Sequence, residues 1–324
     1  MYSLRSKKVF VAGERGMVGS ALVRRLAGEG CEMLSADRST LDLGDQASVR
    51  HWMQAHRPDV VFVSAAKVGG ILANNDYPAD FLYDNLMIAA NLIHAAYEAR
   101  VEKLLFLGSS CIYPKFAEQP ISEDALLTGP LEPTNEYYAI AKIAGIKLAL
   151  AYRKQHGCDF ISAMPTNLYG PGDNYDLVSS HVLPALIRKA YEAKTKGGDF
   201  VLWGSGTPKR EFLYVDDCAD ACIFLMKHYS GEAPVNIGTG EDISIAELAD
   251  LVAEVVGYDG PIAKDETKPD GTPRKWLDVS RLAGLGWKAS TPLREGIEAA
   301  YAAFLSSPEQ RGYSAPAQPL AGAA

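Results

Sequence analysis

Tyr138-Ala-Ile-Ala-Lys142 sets a phenol and an ammonium four residues apart, a spacing that puts both on one face of a helix. A cation beside a phenol favours the phenolate and is expected to lower a pKa that starts at about 10. A tyrosine so placed can pass a proton to or from a sugar oxygen while hydride moves at carbon, and the lysine can hold a nicotinamide ribose. Upstream, Leu107-Gly-Ser-Ser-Cys-Ile-Tyr113 carries a hydroxyl, Ser109, and a thiol, Cys111, to what reads as the carboxyl end of a strand. Ser109 suits a keto oxygen. Cys111 becomes a base if a cationic neighbour or a cofactor stabilises its thiolate, and a lone cysteine after a strand is equally compatible with inert packing. His181, in Ser179-Ser-His-Val-Leu-Pro184, is of a type suited to proton transfer near neutrality, but its spacing says nothing of proximity to Cys111.

Hydride chemistry calls for a dinucleotide, and the chain offers a place for one. Gly13-Glu-Arg-Gly16-Met-Val-Gly19 follows an apolar run, Val9 to Ala12, and opens a helical pattern. Glycine permits positive φ and lets backbone N–H groups approach a pyrophosphate. Gly13, Gly16 and Gly19, with Met17 and Val18, therefore read as a phosphate-binding turn whose GxxGxxG spacing differs from the common GxGxxG. At the end of the second strand stands Asp37-Arg38. An acid there holds a ribose 2′-hydroxyl, whereas arginine accepts a 2′-phosphate. With Arg15 and Arg38 converging on one place, NADP is expected over NAD.

These groups need a scaffold that brings them to one edge. Short apolar runs at Val9–Ala12, Glu32–Ala36, Asp59–Ala65, Lys103–Gly108 and Asp159–Met164 alternate with helical patterns at Val18–Ala27, Val49–Ala55, Phe81–Arg100 and Tyr138–His156. Strand and helix repeated in this way predict an α/β fold, a doubly wound parallel sheet of the Rossmann type with helices on both faces. From Tyr169 the pattern loosens, with Gly and Pro clustered at Gly170-Pro-Gly172, Gly197-Gly198 and Gly204 to Pro208. Amphipathic helices are expected at 245–256 and 291–304. The Ala-, Pro- and Gly-rich tail from Ser306 is expected to be disordered.

Composition narrows the class. The chain has 324 residues with 48% apolar and 22% charged content, enough to bury one large or two unequal cores. A net charge of −8 argues against a phosphate-tracking nucleic-acid binder. Five cysteines without CxxC or metal-ligand spacing fit a reducing cytoplasm, and no metal is expected. No stretch approaches the roughly 20 apolar residues of a membrane span, nor does the start resemble a signal peptide, so a cytoplasmic protein without membrane partners is expected.

Longer segments carry a resemblance. Gly108-Ser-Ser-Cys-Ile-Tyr-Pro-Lys115, Leu131-Glu-Pro-Thr-Asn-Glu136, Tyr138 to Lys147, Met164-Pro-Thr-Asn-Leu-Tyr-Gly-Pro171, Trp203-Gly-Ser-Gly-Thr-Pro208, Ala66-Lys-Val-Gly-Gly70 and Asp270-Gly-Thr-Pro-Arg-Lys275 are similar to the GDP-L-fucose synthase family of extended short-chain dehydrogenases, from about Lys8 to Phe304. The resemblance implies NADPH-dependent conversion of GDP-4-keto-6-deoxy-D-mannose to GDP-L-fucose, by epimerisation at C3 and C5 followed by reduction at C4. It makes Cys111 the base and His181 the acid of epimerisation, with Tyr138, Ser109 and Lys142 serving the reduction. It adds Leu107, Gly108, Pro165, Asn167, Leu168 and His181 to the cofactor contacts, and Lys189, Trp203, Arg210 and Asp278 to a GDP site. Relatives can carry arginine at 189, which leaves Arg188 an alternative, and a histidine is familiar where Glu14 stands. A homodimer through the faces of 81–100 and 138–156 is implied by analogy. The implied division is a cofactor domain of 1–168 completed by about 212–240, and a smaller α/β substrate-binding domain of about 169–211 and 241–305.

Rival readings within the same fold are a nucleotide-sugar 4-epimerase or 4,6-dehydratase. A dehydratase would be expected to show a Thr-Asp-Glu-like set where Ser109-Ser110-Cys111 stands, and a 4-epimerase has no need of Cys111 with His181. A non-catalytic NADP sensor would be expected to lack Tyr138 or Lys142.

Overall fold

The computed structural model describes residues 1–268 and 270–307, so the expected disorder of the tail lies, past Ser307, outside the described residues. The strands are β1 (Lys8–Ala12), β2 (Glu32–Leu34), β3 (Val60–Val63), β4 (Lys103–Leu107), β5 (Asp159–Pro165), β6 (Asn167–Tyr169), β7 (Phe200–Trp203), β8 (Lys209–Arg210), β9 (Phe212–Tyr214), β10 (Val235–Ile237), β11 (Ile243–Ser244), β12 (Ile262–Asp265) and β13 (Arg274–Lys275). Helices are α1 (Met17–Leu26), α2 (Gln46–His56), α3 (Ile71–Asp76), α4 (Pro78–Glu98), α5 (Glu136–His156), α6 (Val182–Lys196), α7 (Val215–His228), α8 (Ile245–Val256), α9 (Ser280–Gly284) and α10 (Leu293–Ser306).

β1 and β3 are apolar on both faces because both are covered. Val9, Val11, Val60 and Phe62 point to a core shared with α1 and α7, whereas Phe10, Ala12, Val61 and Val63 join a second core under α2, α4 and α5. Six parallel strands run in the order β10-β5-β4-β3-β1-β2. Chain order reverses between β1 and β3, so the carboxyl ends there open into a crevice. The chain returns to this sheet after β9, with α7 packed on α1 and β10 paired in parallel with β5.

A third core lies away from that sheet, with Leu183, Ile187, Phe200, Leu248, Val252 and Phe304 at its centre. Its strands are short: β7 pairs β12, and β8 lies between β11 and β13. The expected helix 245–256 is present with both reciprocal bonds of a Ser244/Glu247 capping box, and the expected 291–304 runs as Leu293–Ser306. The loosened region is more regular than its Gly and Pro suggested, since it contains α6 and α7. Pro184 sits in the first turn of α6, where a missing N–H costs nothing. Among the described residues no helix is long and apolar enough to cross a membrane.

Helix α5 lies so close to β4 that a Cβ added at Gly145 would fall 2.3 Å from Cζ of Phe106. On propensity alone, Gly145→Ala in mid-helix should stabilise by about 1 kcal/mol. Overpacking outweighs this, and chemical denaturation of Gly145→Ala should show a net loss of about 1–3 kcal/mol. A gain in stability would contradict the packing described.

Candidate active site

The end of β4 is the anchor. Lys142, buried on α5, donates from Nζ to the Leu107 carbonyl at 2.8 Å, and its Nζ stands 5.1 Å from the centroid of the Phe106 ring and 5.8 Å from that of Tyr138. The chain then passes Gly108 and turns through a single 3₁₀ turn, Ser110–Ile112, against which α5 packs. Ser109 caps this turn, its Oγ accepting from the Cys111 N–H at 3.3 Å. Ser109, Cys111, Tyr138 and Lys142 are thus held at one sheet edge by one helix.

Electrostatics here depart from the sequence expectation in one respect. Tyr138 is not drawn toward phenolate: burial raises its pKa, and a negative charge on Cys111 would raise it further. Lys142 is itself pushed down to about 8 by burial, with its ammonium directed to a backbone carbonyl. A phenol that keeps its proton suits proton donation. Cys111 is buried as well, which raises its thiol, while the ammonium of Lys275, a hydrogen bond with Ser109 and the ammonium of Lys142 pull it down. His181 occupies the N-cap position of α6 without a side-chain cap bond, and desolvation first and then Lys275 lower its pKa. Cys111 and His181 therefore share a charged neighbour, although 70 residues separate them in the sequence.

Lys275 went unread in the sequence as a site residue. Its own pKa is lowered by burial, and it feels Cys111, Arg210 and Glu132. β13 pairs Lys275 with Arg210 of β8.

Groups suited to a dinucleotide meet at the start of α1. Gly13 has φ +91°, and a Cβ there would meet the Ala65 backbone at 2.8 Å; one at Gly19 would meet the Gly13 oxygen at 2.0 Å. No side chain caps α1, and no acid lies in its first turn, so the N–H groups of Met17, Val18 and Gly19 face the crevice. That cradle fits a pyrophosphate. At the end of β2, Asp37 is committed elsewhere: Oδ1 accepts from Ser39 and Thr40 N–H at 2.9 and 3.1 Å, and Oδ2 meets Arg15 at 3.4 Å. These bonds, that to the Ser39 side chain first, hold its carboxyl low. Arg38 is exposed beside it. Glu14 accepts from the Ser35 hydroxyl at 2.5 Å, tying the glycine turn to the end of β2. On the other side of the crevice, Pro165 ends β5, and Asn167 and Leu168 lie on β6 paired with β9.

The residues expected around GDP separate. Lys189 stands 4.4 Å from the Trp203 ring centroid and donates to the Val201 carbonyl at 3.1 Å, while Lys268 approaches the same ring at 5.3 Å. Arg188 is buried against the Tyr175 carbonyl and Glu192, which removes it as the alternative to Lys189. Arg210 is partly buried, with its pKa lowered by that burial and raised by Glu132. Asp278 is not brought to this group: its carboxylate turns back to the Ser280 N–H, and its backbone joins Ile121 and Asn236. The acid beside Trp203 is Asp270, which accepts from Ser205 N–H and Oγ at 2.9 and 2.7 Å.

Known proteins bear on this geometry. The family model described as "NAD dependent epimerase/dehydratase family" matches residues 9–238. The chain belongs to that family. Within it, this family member is 60% identical to the GDP-L-fucose synthase of Sinorhizobium fredii over 95% of its own length and 98% of that protein's. It is 58% identical to GDP-L-fucose synthase 1 of Arabidopsis thaliana, over 94% of each chain. Among solved structures, a GDP-L-fucose synthetase from Naegleria fowleri bound to NADP superposes with TM-score 0.88 at 29% identity, covering 94% of this chain and 96% of that one. Among the described residues no cluster of His, Cys, Asp and Glu could hold a metal ion.

If Lys275 supports the Cys111 thiolate, Lys275→Met should raise the thiol pKa, so that less thiolate is present at any given pH. The ultraviolet thiolate absorbance, titrated against a Cys111→Ser background, reads this directly. An unchanged titration would contradict the placement.

Proposed function

We propose that the protein converts GDP-4-keto-6-deoxy-D-mannose to GDP-L-fucose with NADPH, by epimerisation at C3 and C5 and reduction at C4. The observation that carries this reading is the convergence of a thiol, a hydroxyl, a phenol and two ammonium groups at the end of β4, in a chain 60% identical to a GDP-L-fucose synthase.

A C4 ketone acidifies the protons at C3 and C5, because either carbanion delocalises into an enolate. Cys111 takes a proton from one ring face and His181 returns one to the other, which inverts each centre in turn. Lys275, placed near both, stabilises the thiolate and the negative charge that develops on the sugar. The Ser109 hydroxyl donates to the C4 oxygen, and Tyr138 supplies the proton that completes the alcohol. A raised phenol pKa keeps that proton available at neutral pH. NADPH, when bound, supplies the hydride chemistry at C4. The α1 N-terminus holds its pyrophosphate, Arg15 and Arg38 hold the 2′-phosphate, and Lys142 holds the nicotinamide ribose. Leu107, Gly108, Pro165, Asn167 and Leu168 wall that cleft. For GDP, Lys189 and Trp203 form a face for the nucleoside, and Arg210 serves the diphosphate.

The crevice lies between two units, a cofactor unit of 1–168 with about 212–240 and a substrate unit of about 169–211 with 241–305. Oxidoreductase and isomerase activities then share one site in a cytoplasmic enzyme. Exposed Tyr83 on α4 and Tyr137 and Ile140 on α5, two helices packed side by side, support a homodimer through that face.

The test is incubation with GDP-4-keto-6-deoxy-D-mannose and NADPH in deuterated water. NADPH oxidation with deuterium at C3 and C5 of a GDP-fucose product is expected. Folded protein that neither consumes NADPH nor exchanges deuterium would sink the reading.

A further inference from the structure

Glu211 is fully buried between Arg210 and β9 and takes no part in the chemistry above. Its Oε1 accepts from the N–H groups of Thr239 and Gly240, both at 2.7 Å, and its Oε2 accepts from the Leu277 N–H at 2.9 Å. Its backbone is engaged as well. The N–H donates to the Lys275 carbonyl at 3.3 Å, and the carbonyl accepts from Asn167 Nδ2 at 2.8 Å and Thr166 Oγ1 at 3.3 Å. One residue therefore links the turn after β10, the chain leaving β13 and the β5–β6 connection.

A buried carboxylate is costly unless its lone pairs are satisfied. Here backbone N–H groups from two separate segments satisfy them. A smaller or neutral side chain could fill the space but could not accept from both segments at once. The room is also fitted to the charge: a Cβ at Gly238 would lie 2.3 Å from Oε1 and 2.8 Å from Cδ. Burial raises the Glu211 pKa, and the bonds from Gly240, Leu277, Thr166 and Thr239 oppose that rise.

We propose that Glu211 is a positioning residue whose carboxylate fixes Arg210 and Lys275, the paired cations of β8 and β13, against the end of the cofactor sheet. The β8–β13 ladder is only two residues long; besides Glu211 it is held by the Lys209 N–H bond to the Pro273 carbonyl at 2.8 Å and by β11 on the other side of β8. The inference rests on the GDP-sugar reading, since Arg210 is taken there to serve the diphosphate.

Two variants of the full chain test it. Glu211→Gln keeps the volume but turns an amide NH₂ toward one set of N–H donors. Gly238→Ala leaves Glu211 in place and displaces its carboxylate. Titration calorimetry with GDP and, separately, with NADPH is then compared with thermal melting. For both variants the GDP Kd should rise about tenfold or more, while the NADPH Kd stays within about twofold. Loss of thermal stability with both affinities unchanged, or equal weakening of both ligands, would overturn the inference by reducing Glu211 to core support. If Glu211→Gln does not fold, Gly238→Ala decides alone, and GDP affinity kept in that variant would overturn it. Wild-type protein that binds NADPH but no GDP would instead overturn the GDP-sugar reading, and the inference with it.

Discussion

The hydrogen bond from Lys142 to the Leu107 carbonyl, at 2.8 Å, fixes the geometry on which the site depends. It ties α5 to the last residue of β4, and Gly145 lets the same helix come down onto the Phe106 ring. Tyr138, one turn before Lys142, and the Ser109–Cys111 turn, just past Leu107, are then placed by a single contact between helix and strand. Burial raises the Tyr138 pKa, so the phenol keeps its proton although the Lys142 ammonium stands 5.8 Å from its ring centroid.

Charge in this protein is sorted rather than abundant. The chain carries −8 overall, yet Lys142 is buried, and Lys275 and Arg210 are partly buried side by side on β13 and β8. Burial lowers the pKa of Lys142, Lys275 and Lys189, the cost of holding cations out of water. Anionic ligands would offset that cost, so the site is better satisfied with a dinucleotide and a nucleoside diphosphate than without.

Much of this was legible in the sequence because it is local. The glycine turn, the Tyr138–Lys142 spacing and the alternating strands and helices each depend on neighbours within a few residues, and each was found close to its predicted bounds. The rest depends on contacts that no window of sequence contains. His181 and Cys111 acquire a common neighbour in Lys275 through a two-residue strand, too short to leave a periodic signal. Asp270 and Asp278 differ only in where β13 carries them. Arg188 and Lys189 are consecutive on α6, about 100° apart around its axis, which buries one and turns the other to Trp203. The lowered phenol pKa failed for a related reason: desolvation is a property of the fold and outweighed the one cation visible in the motif.

The central claim is that one crevice performs two separable reactions, with Cys111 serving epimerisation and Tyr138 serving reduction. Comparison of Cys111→Ser with Tyr138→Phe in deuterated water tests this most directly, following deuterium at C3 and C5 and NADPH oxidation in the same samples. The account predicts that Tyr138→Phe still exchanges deuterium while reducing little, and that Cys111→Ser loses exchange. Exchange that survives in Cys111→Ser, or that disappears together with reduction in Tyr138→Phe, would contradict it.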